Sequence, residues 1–320
     1  MRAAPVVAGL SLLTVASAAV AQTPECSAYV ANVNAHRVCA AAVDGTRAFH
    51  PVFGMLISGG NPTIGSAAPS GGLGHASMTI RANAVNVVFP DLTYNGGTST
   101  VPAGDKLFVP APLIESSVGL YPGMSHGLLA LDFLSSAQII PTSLIDNLSV
   151  DPNARRIGSI ALGIGYGGRL GLLGGKGPLP AVSVSIMRRD IPRITYGDVP
   201  AGDRYSYGVD LHATNFRLIA SKQVAVLDMA LGVGVDKYTG SAIIQFRDPI
   251  TSIAQPNILV DLNNSRVLSF VNAGLNLSKI RLSGEFGYQG GRDQNLSSTF
   301  EDFDTTVGKF FAGLGLRVSF

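Results

Sequence analysis

The stretch that most constrains this chain is its last, Thr306 to Phe320, which reads TVGKFFAGLGLRVSF. From Phe310 onward every even position is apolar: Phe310, Ala312, Leu314, Leu316, Val318 and Phe320. The odd positions are Lys309, Phe311, Gly313, Gly315, Arg317 and Ser319. Successive side chains of a strand point to opposite faces, so this is a strand with one greasy face and one polar or empty face. A soluble sandwich produces the same alternation. The rest of the chain has to decide whether the greasy face meets a core or lipid.

Composition bears on that choice. Beyond the N-terminal region there is no long uninterrupted apolar run, so spanning by helices is not expected. Yet mean hydropathy is +0.31. Only 14% of residues are charged, where a soluble chain carries about 25%. High hydropathy without apolar runs is what a transmembrane barrel gives, because only alternate residues of its wall face lipid. The 38 glycines also suit a barrel better than a helical protein. With no tryptophan, interface girdles fall to Tyr and Phe. A formal net charge of +2 implies no polyanionic partner and no nucleic acid.

The N-terminus has Arg2, an apolar run from Val6 to Val15, and small residues ending Ala19-Val20-Ala21. This reads as a secretory signal over residues 1–21, removed after Ala21. Residues 22–73 precede the strand pattern and are expected to form a periplasmic arm or a plug. Within them, 26–43 reads as a short helix or helical hairpin, and the apolar 49–57 as extended. Cys26 and Cys39 follow the signal, and export makes a disulfide between them the expectation. One unbroken helix would hold them about 20 Å apart, so the bridge requires a break near Asn32-Val33-Asn34.

Residues 74–320 are expected to form an all-β, antiparallel up-and-down transmembrane barrel. The parity test marks strands at 76–86, 113–121, 128–137, 157–170, 181–189, 205–214, 224–238, 266–277 and 279–289, and the terminal strand closes the set. That is about ten spans, within a range of ten to fourteen, each near the length a tilted membrane strand needs. Residues 242–246 extend the preceding strand beyond the membrane or, as the start of a further hairpin, bring the count to twelve. Short connections follow Tyr121, Leu173, Ile219 and Leu277 and alternate with long ones, the arrangement of periplasmic turns and external loops.

Together these features resemble bacterial outer-membrane β-barrels, and the resemblance implies localisation there, with outer-membrane lipid around the wall. It also implies that the terminal Leu316, Val318 and Phe320 serve as a signal to the barrel assembly machinery.

Parity puts ten polar candidates on the lumen side: Arg81, Glu115, Asp132, Asp210, His212, Asp228, Asp236, Arg281, Glu285 and Arg317. The charges are mixed in sign, which points to a self-satisfied polar interior more than to ion selectivity. Inner glycines, among them Gly208, Gly232, Gly287 and Gly315, either leave room for a ligand or relieve curvature. His36, His50, His75 and His126 stand singly, without metal-ligand spacing, so no metal and no cofactor is expected. Asp210-Leu-His212 resembles the Asp-x-His pair of the omptins, outer-membrane proteases. The second acidic pair of that family is matched only by Asp302-Phe303-Asp304, in the reverse order. Ser58-Gly-Gly-Asn-Pro-Thr63 resembles the plug motif of the outer-membrane fatty-acid and hydrocarbon transporters (FadL-type), which implies a small apolar ligand.

The leading expectation is therefore a non-enzymatic barrel for passive transport of small, apolar molecules. The alternatives are a structural or surface-interaction barrel with no open pore, and, less favoured, an omptin-type hydrolase.

Overall fold

In the computed structural model, which describes residues 23–141, 147–175 and 178–320, ten long antiparallel strands close into a ring. They are β1 (Ala76–Pro90), β2 (Ala103–Tyr121), β3 (Ala130–Pro141), β4 (Ile160–Gly174), β5 (Ala181–Tyr196), β6 (Tyr205–Val224), β7 (Leu227–Phe246), β8 (Ile258–Leu277), β9 (Ile280–Gln289) and β10 (Lys309–Ser319). Each pairs with its successor, and β10 returns to β1 with Met78 opposite Val318 and Val85 opposite Phe311. Closure matters because lipid offers no partner to a bare backbone N–H or C=O. Among the described residues no helix is long and apolar enough to cross a membrane.

The strands run further than hydropathy alternation alone suggests. Residues 242–246 stay in β7, where Ile244 pairs with both Tyr207 and Ile258. They start no extra hairpin. The turn expected just after Ile219 instead lies at Ala225 and Val226, between the paired Val224 and Leu227. Ala220 to Gln223 continue the strand because their backbone finds partners on β7.

The outer face carries an apolar band. On β7 the outward Leu227, Met229, Leu231, Val233 and Val235 are all exposed. They cover about 27 Å of strand, or about 21 Å of depth at a tilt near 40°. Ile186, Phe216, Val235 and Val267 form one register row across four strands at the outer limit of this band. Two residues further out, the same strands present Arg188, Thr214, Lys237 and Ser265. Apolar below and polar above is the signature of a wall emerging from lipid, and the protein is a transmembrane β-barrel.

That boundary overturns one expectation. Asp210 and His212 do not face the lumen, and neither does Gly208. The inward residues of outer β6 are Tyr205, Tyr207, Val209 and Leu211, all buried, while Asp210 and His212 lie on the outside. The rule that the greasy face meets lipid fails here for two reasons. This part of β6 stands above the membrane, and its inner face packs on an apolar helix.

That helix, α1 (Val33–Ser58), lies in the lumen. Its start is held by the long loops: Arg37 Nη1 donates to Gly96 O at 3.1 Å, and Asp44 accepts from the Ser297 and Ser298 N–H groups at 2.9 and 2.7 Å. From there the chain descends to the short-turn side and enters β1. Residues 49–57 are thus helical, not extended. Inside a barrel a helix satisfies its own backbone, which an isolated extended segment cannot do. Phe49, buried, stacks on Phe89 with ring centroids 5.7 Å apart and meets Phe303 at 4.8 Å.

Before α1, a 3-10 helix (Pro24–Tyr29) turns back at Asn32, whose side chain caps α1 by accepting from Ala35 N at 3.2 Å. The break brings Cys26 and Cys39 to a Cα separation of 5.8 Å, and they are bridged. Cys39→Ser is expected to weaken this hairpin by about 3 kcal/mol and leave the wall intact. Hydrogen exchange would show faster exchange at the start of α1 only. Equal loss of protection in the strands would contradict a local role.

Candidate functional site

The lumen has two storeys. Toward the short turns it is polar, and the chain from residue 56 to residue 72 is tied to the wall there. Glu285 on β9 accepts from Gly60 N at 2.8 Å, Asn61 N at 2.7 Å and Asn272 Nδ2 at 2.8 Å, and is ion-paired with Arg81 Nη2. Arg81 on β1 also donates to Asn61 O at 2.6 Å and lies 3.5 Å from Glu115. Arg217 on β6 donates to Gly59 O at 2.9 Å, to Gly60 O at 2.8 Å and to Asp236 at 2.6 Å. Asn83 Nδ2 donates to Leu56 O at 3.0 Å. The carbonyls just past the end of a helix carry its negative dipole, so two guanidinium groups at this point are well placed.

Lower still, Arg169 on β4 donates to Thr63 Oγ1 at 2.7 Å and to Asp132 at 2.9 Å, and Asp132 accepts from Ser70 N at 3.1 Å. Arg189 on β5 donates to Glu115 at 2.9 Å. Of the ten polar candidates, eight are inward: Arg81, Glu115, Asp132, Asp228, Asp236, Arg281, Glu285 and Arg317. The partners Arg169, Arg189 and Arg217 were missed. The same parity marks them inward, but each lies in a stretch read for its apolar residues alone or beyond the expected strand end.

The inner glycines are filled by neighbours, not left as space. A Cβ on Gly232 would overlap the ring of Phe270, one on Gly287 the ring of Phe311, and one on Gly315 the plug residue Ile64.

The outer storey is apolar and holds a cavity of about 240 Å³. Phe53, Leu56 and Ile57 of α1 form one side; Ile191, Ile194, Val209 and Leu211 of β5 and β6 form another. The third side is β2. There the inward Leu107, Val109 and Ala111 and the outward Phe108 and Pro110 all line the cavity, so it reaches through the wall.

The register explains how. β2 pairs with β3 from Leu113 opposite Gln138 to Tyr121 opposite Leu131. Beyond Leu113 it stays paired with β1 alone, Ala111 opposite Asn83 and Leu107 opposite Val87, while Ile139 and Ile140 of β3 pair with β4. The wall is therefore unzipped between β2 and β3 along 107–112. Pro110 and Pro112 stand there, two residues apart, and lack an N–H on the same edge of the strand. Proline within a strand marks an unpaired edge, and that signal in the sequence could have located the seam. Phe108 is the last apolar outward residue before Lys106, so the seam opens at the outer edge of the apolar band.

The residues behind the omptin resemblance are not assembled. His212 Nδ1 lies 2.6 Å from Asp190 Oδ1, while Asp210 accepts from Arg193 at 2.9 Å and from Ser241 N at 2.5 Å. Asp302 is bound by Lys106 at 2.5 Å. Among the described residues no group of three or more His, Cys, Asp or Glu is arranged to hold a metal ion.

No protein-family model matches the sequence, and no curated protein matches it. Among solved structures, the outer-membrane protease OmpT of Escherichia coli is similar over 77% of this chain and 96% of its own, at 10% identity and a TM-score of 0.38. The monoaromatic hydrocarbon channel TodX, as a deltaS2S3 mutant, covers 83% of this chain and 93% of its own at 11% identity and a TM-score of 0.34. Neisserial surface protein A covers 77% and 99% at 9% identity and a TM-score of 0.31. At these scores the likenesses are likenesses of barrels, and nothing about activity rests on them.

Proposed function

We propose that this barrel binds and passes small apolar molecules, which enter its outer storey sideways through the seam between β2 and β3. The observation that carries this reading is the apolar cavity continuous with an unpaired stretch of wall at the level of lipid. A cavity of about 150 Å³ lined by aliphatic and aromatic side chains stays dry and takes up benzene. The larger one here suits a one- or two-ring hydrocarbon. The reading involves no catalytic step.

The test is uptake of radiolabelled naphthalene by cells producing the protein. Ala111→Trp places a large ring in the cavity. It is expected to lower uptake at least about fivefold, the factor given by an overpacking cost of 1 kcal/mol. Met229→Trp, on the lipid face of β7, is the control and leaves uptake unchanged. Heat-modifiable gel mobility establishes that both variants form barrels. Unchanged uptake in a folded Ala111→Trp barrel would remove the cavity from the pathway.

A further inference from the structure

Among the described residues the inner wall holds two more guanidinium groups than carboxylates, seven against five. Each inward carboxylate is already engaged: Glu285 by Arg81, Glu115 by Arg81 and Arg189, Asp132 by Arg169, Asp236 by Arg217. Asp228 lies 2.8 Å from Arg281 Nε, an ion pair without hydrogen-bond geometry. Two arginines remain, Arg266 high on β8 and, at the short-turn end, Arg317 on β10. Only 7% of the surface of Arg317 is open, its Nε is sealed without a partner, and among the described residues it has no ion pair or hydrogen bond.

Its cross-strand neighbour makes matters worse. Arg317 stands directly opposite Arg281 on the inner face, and like charges in that relation repel. One register step inward, Ser283 is opposite Gly315, and its buried hydroxyl also lacks a partner. A buried charge without a counter-charge is costly, and arginine is the side chain least able to escape by losing its proton. Two adjacent guanidinium forks and an unused hydroxyl match the oxygens of a phosphate.

We propose that Arg317, Arg281 and Ser283 bind an oxyanion of the phosphate class at the short-turn mouth of the lumen. The plug meets the wall at the same place, since Ile64 lies over Gly315 and Gly65 over Ser283 and Arg281. The bound anion therefore also fastens the base of the plug. This site is independent of the apolar cavity above it.

The test uses the full mature chain in a non-ionic, lipid-free detergent at fixed ionic strength, with chloride replaced stepwise by inorganic phosphate. The thermal midpoint is expected to rise with the logarithm of phosphate concentration above Kd, by about 5 °C at a hundredfold excess. Arg317→Gln abolishes the rise and, in chloride alone, melts no lower than the native chain, because an unpaired charge has gone. Arg266→Gln, which removes a buried arginine higher on β8, keeps the response. A short-chain phosphatidylglycerol in place of phosphate separates a lipid headgroup from the free ion as the source. The proposal fails if phosphate acts no differently from chloride, or if Arg317→Gln responds like the native chain. Should Arg317→Gln not fold, Ser283→Ala serves: line broadening of the phosphate ³¹P resonance seen with the native chain must weaken with this variant, and equal broadening would overturn the site.

Discussion

Removing residues 22–72 is expected to turn a sealed barrel into a conducting one. In the full chain the segment from Leu56 to Gly72 bonds to inward side chains of seven strands, from Asn83 on β1 to Glu285 on β9. Gly119 and Gly315 of the wall lie directly under Gly72 and Ile64 of this segment, so removing it opens space at the inner face. An eight-stranded barrel is about filled by its own side chains and a sixteen-stranded one is an open channel. Ten strands without a plug fall between, with a narrow aqueous lumen.

The selectivity also follows. Arg81, Arg169, Arg189, Arg217, Arg266, Arg281 and Arg317 face Glu115, Glu285, Asp132, Asp228 and Asp236 across that lumen, an excess of positive charge that favours anions. Single-channel recording in a salt gradient reads both conductance and the sign of the reversal potential. Equal conductance from the full chain would mean that the plug is not a seal. No conductance from a folded truncated barrel would mean that the wall's own side chains close it.

Glu285→Ala is expected to cost about 3–5 kcal/mol of stability, the range for stripping one partner from a buried ion pair. The carboxylate holds Arg81 and three further donors at once, so its loss strands a buried guanidinium and two backbone N–H groups of the plug. Pairing it with Arg81→Ala should cost markedly less than the sum of the two single changes, because the second removes the charge that the first left bare. Urea unfolding in detergent, with all three variants on one baseline, measures the coupling. Strict additivity would show that the pair is incidental to plug retention.

The two predictions rest on features that the sequence carried unequally. Alternation placed Arg81, Glu115 and Glu285 inside because β1, β2 and β9 there cross the lipid, and lipid demands an apolar outer face. The same rule misplaced Asp210 and His212, since their part of β6 has left the membrane and its inner face meets α1 instead of water or charge. Pro110 and Pro112 announced a missing ladder in β2, but only the register with β3 shows that the gap leads to a cavity. The helical state of residues 49–57 was hidden by Pro51 and by apolar residues on most sides, a pattern that makes sense once a greasy lumen surrounds the helix.

What the amino-acid sequence determined by itself is therefore the wall: period-two hydropathy, low charge and turn spacing dictate a closed barrel because each wall residue has only two environments to choose between. What the tertiary structure decided is the interior. Inside, each side chain meets partners from strands far apart in sequence and from the threaded segment. Which arginine is paired, which is left over and where space remains are properties of that convergence.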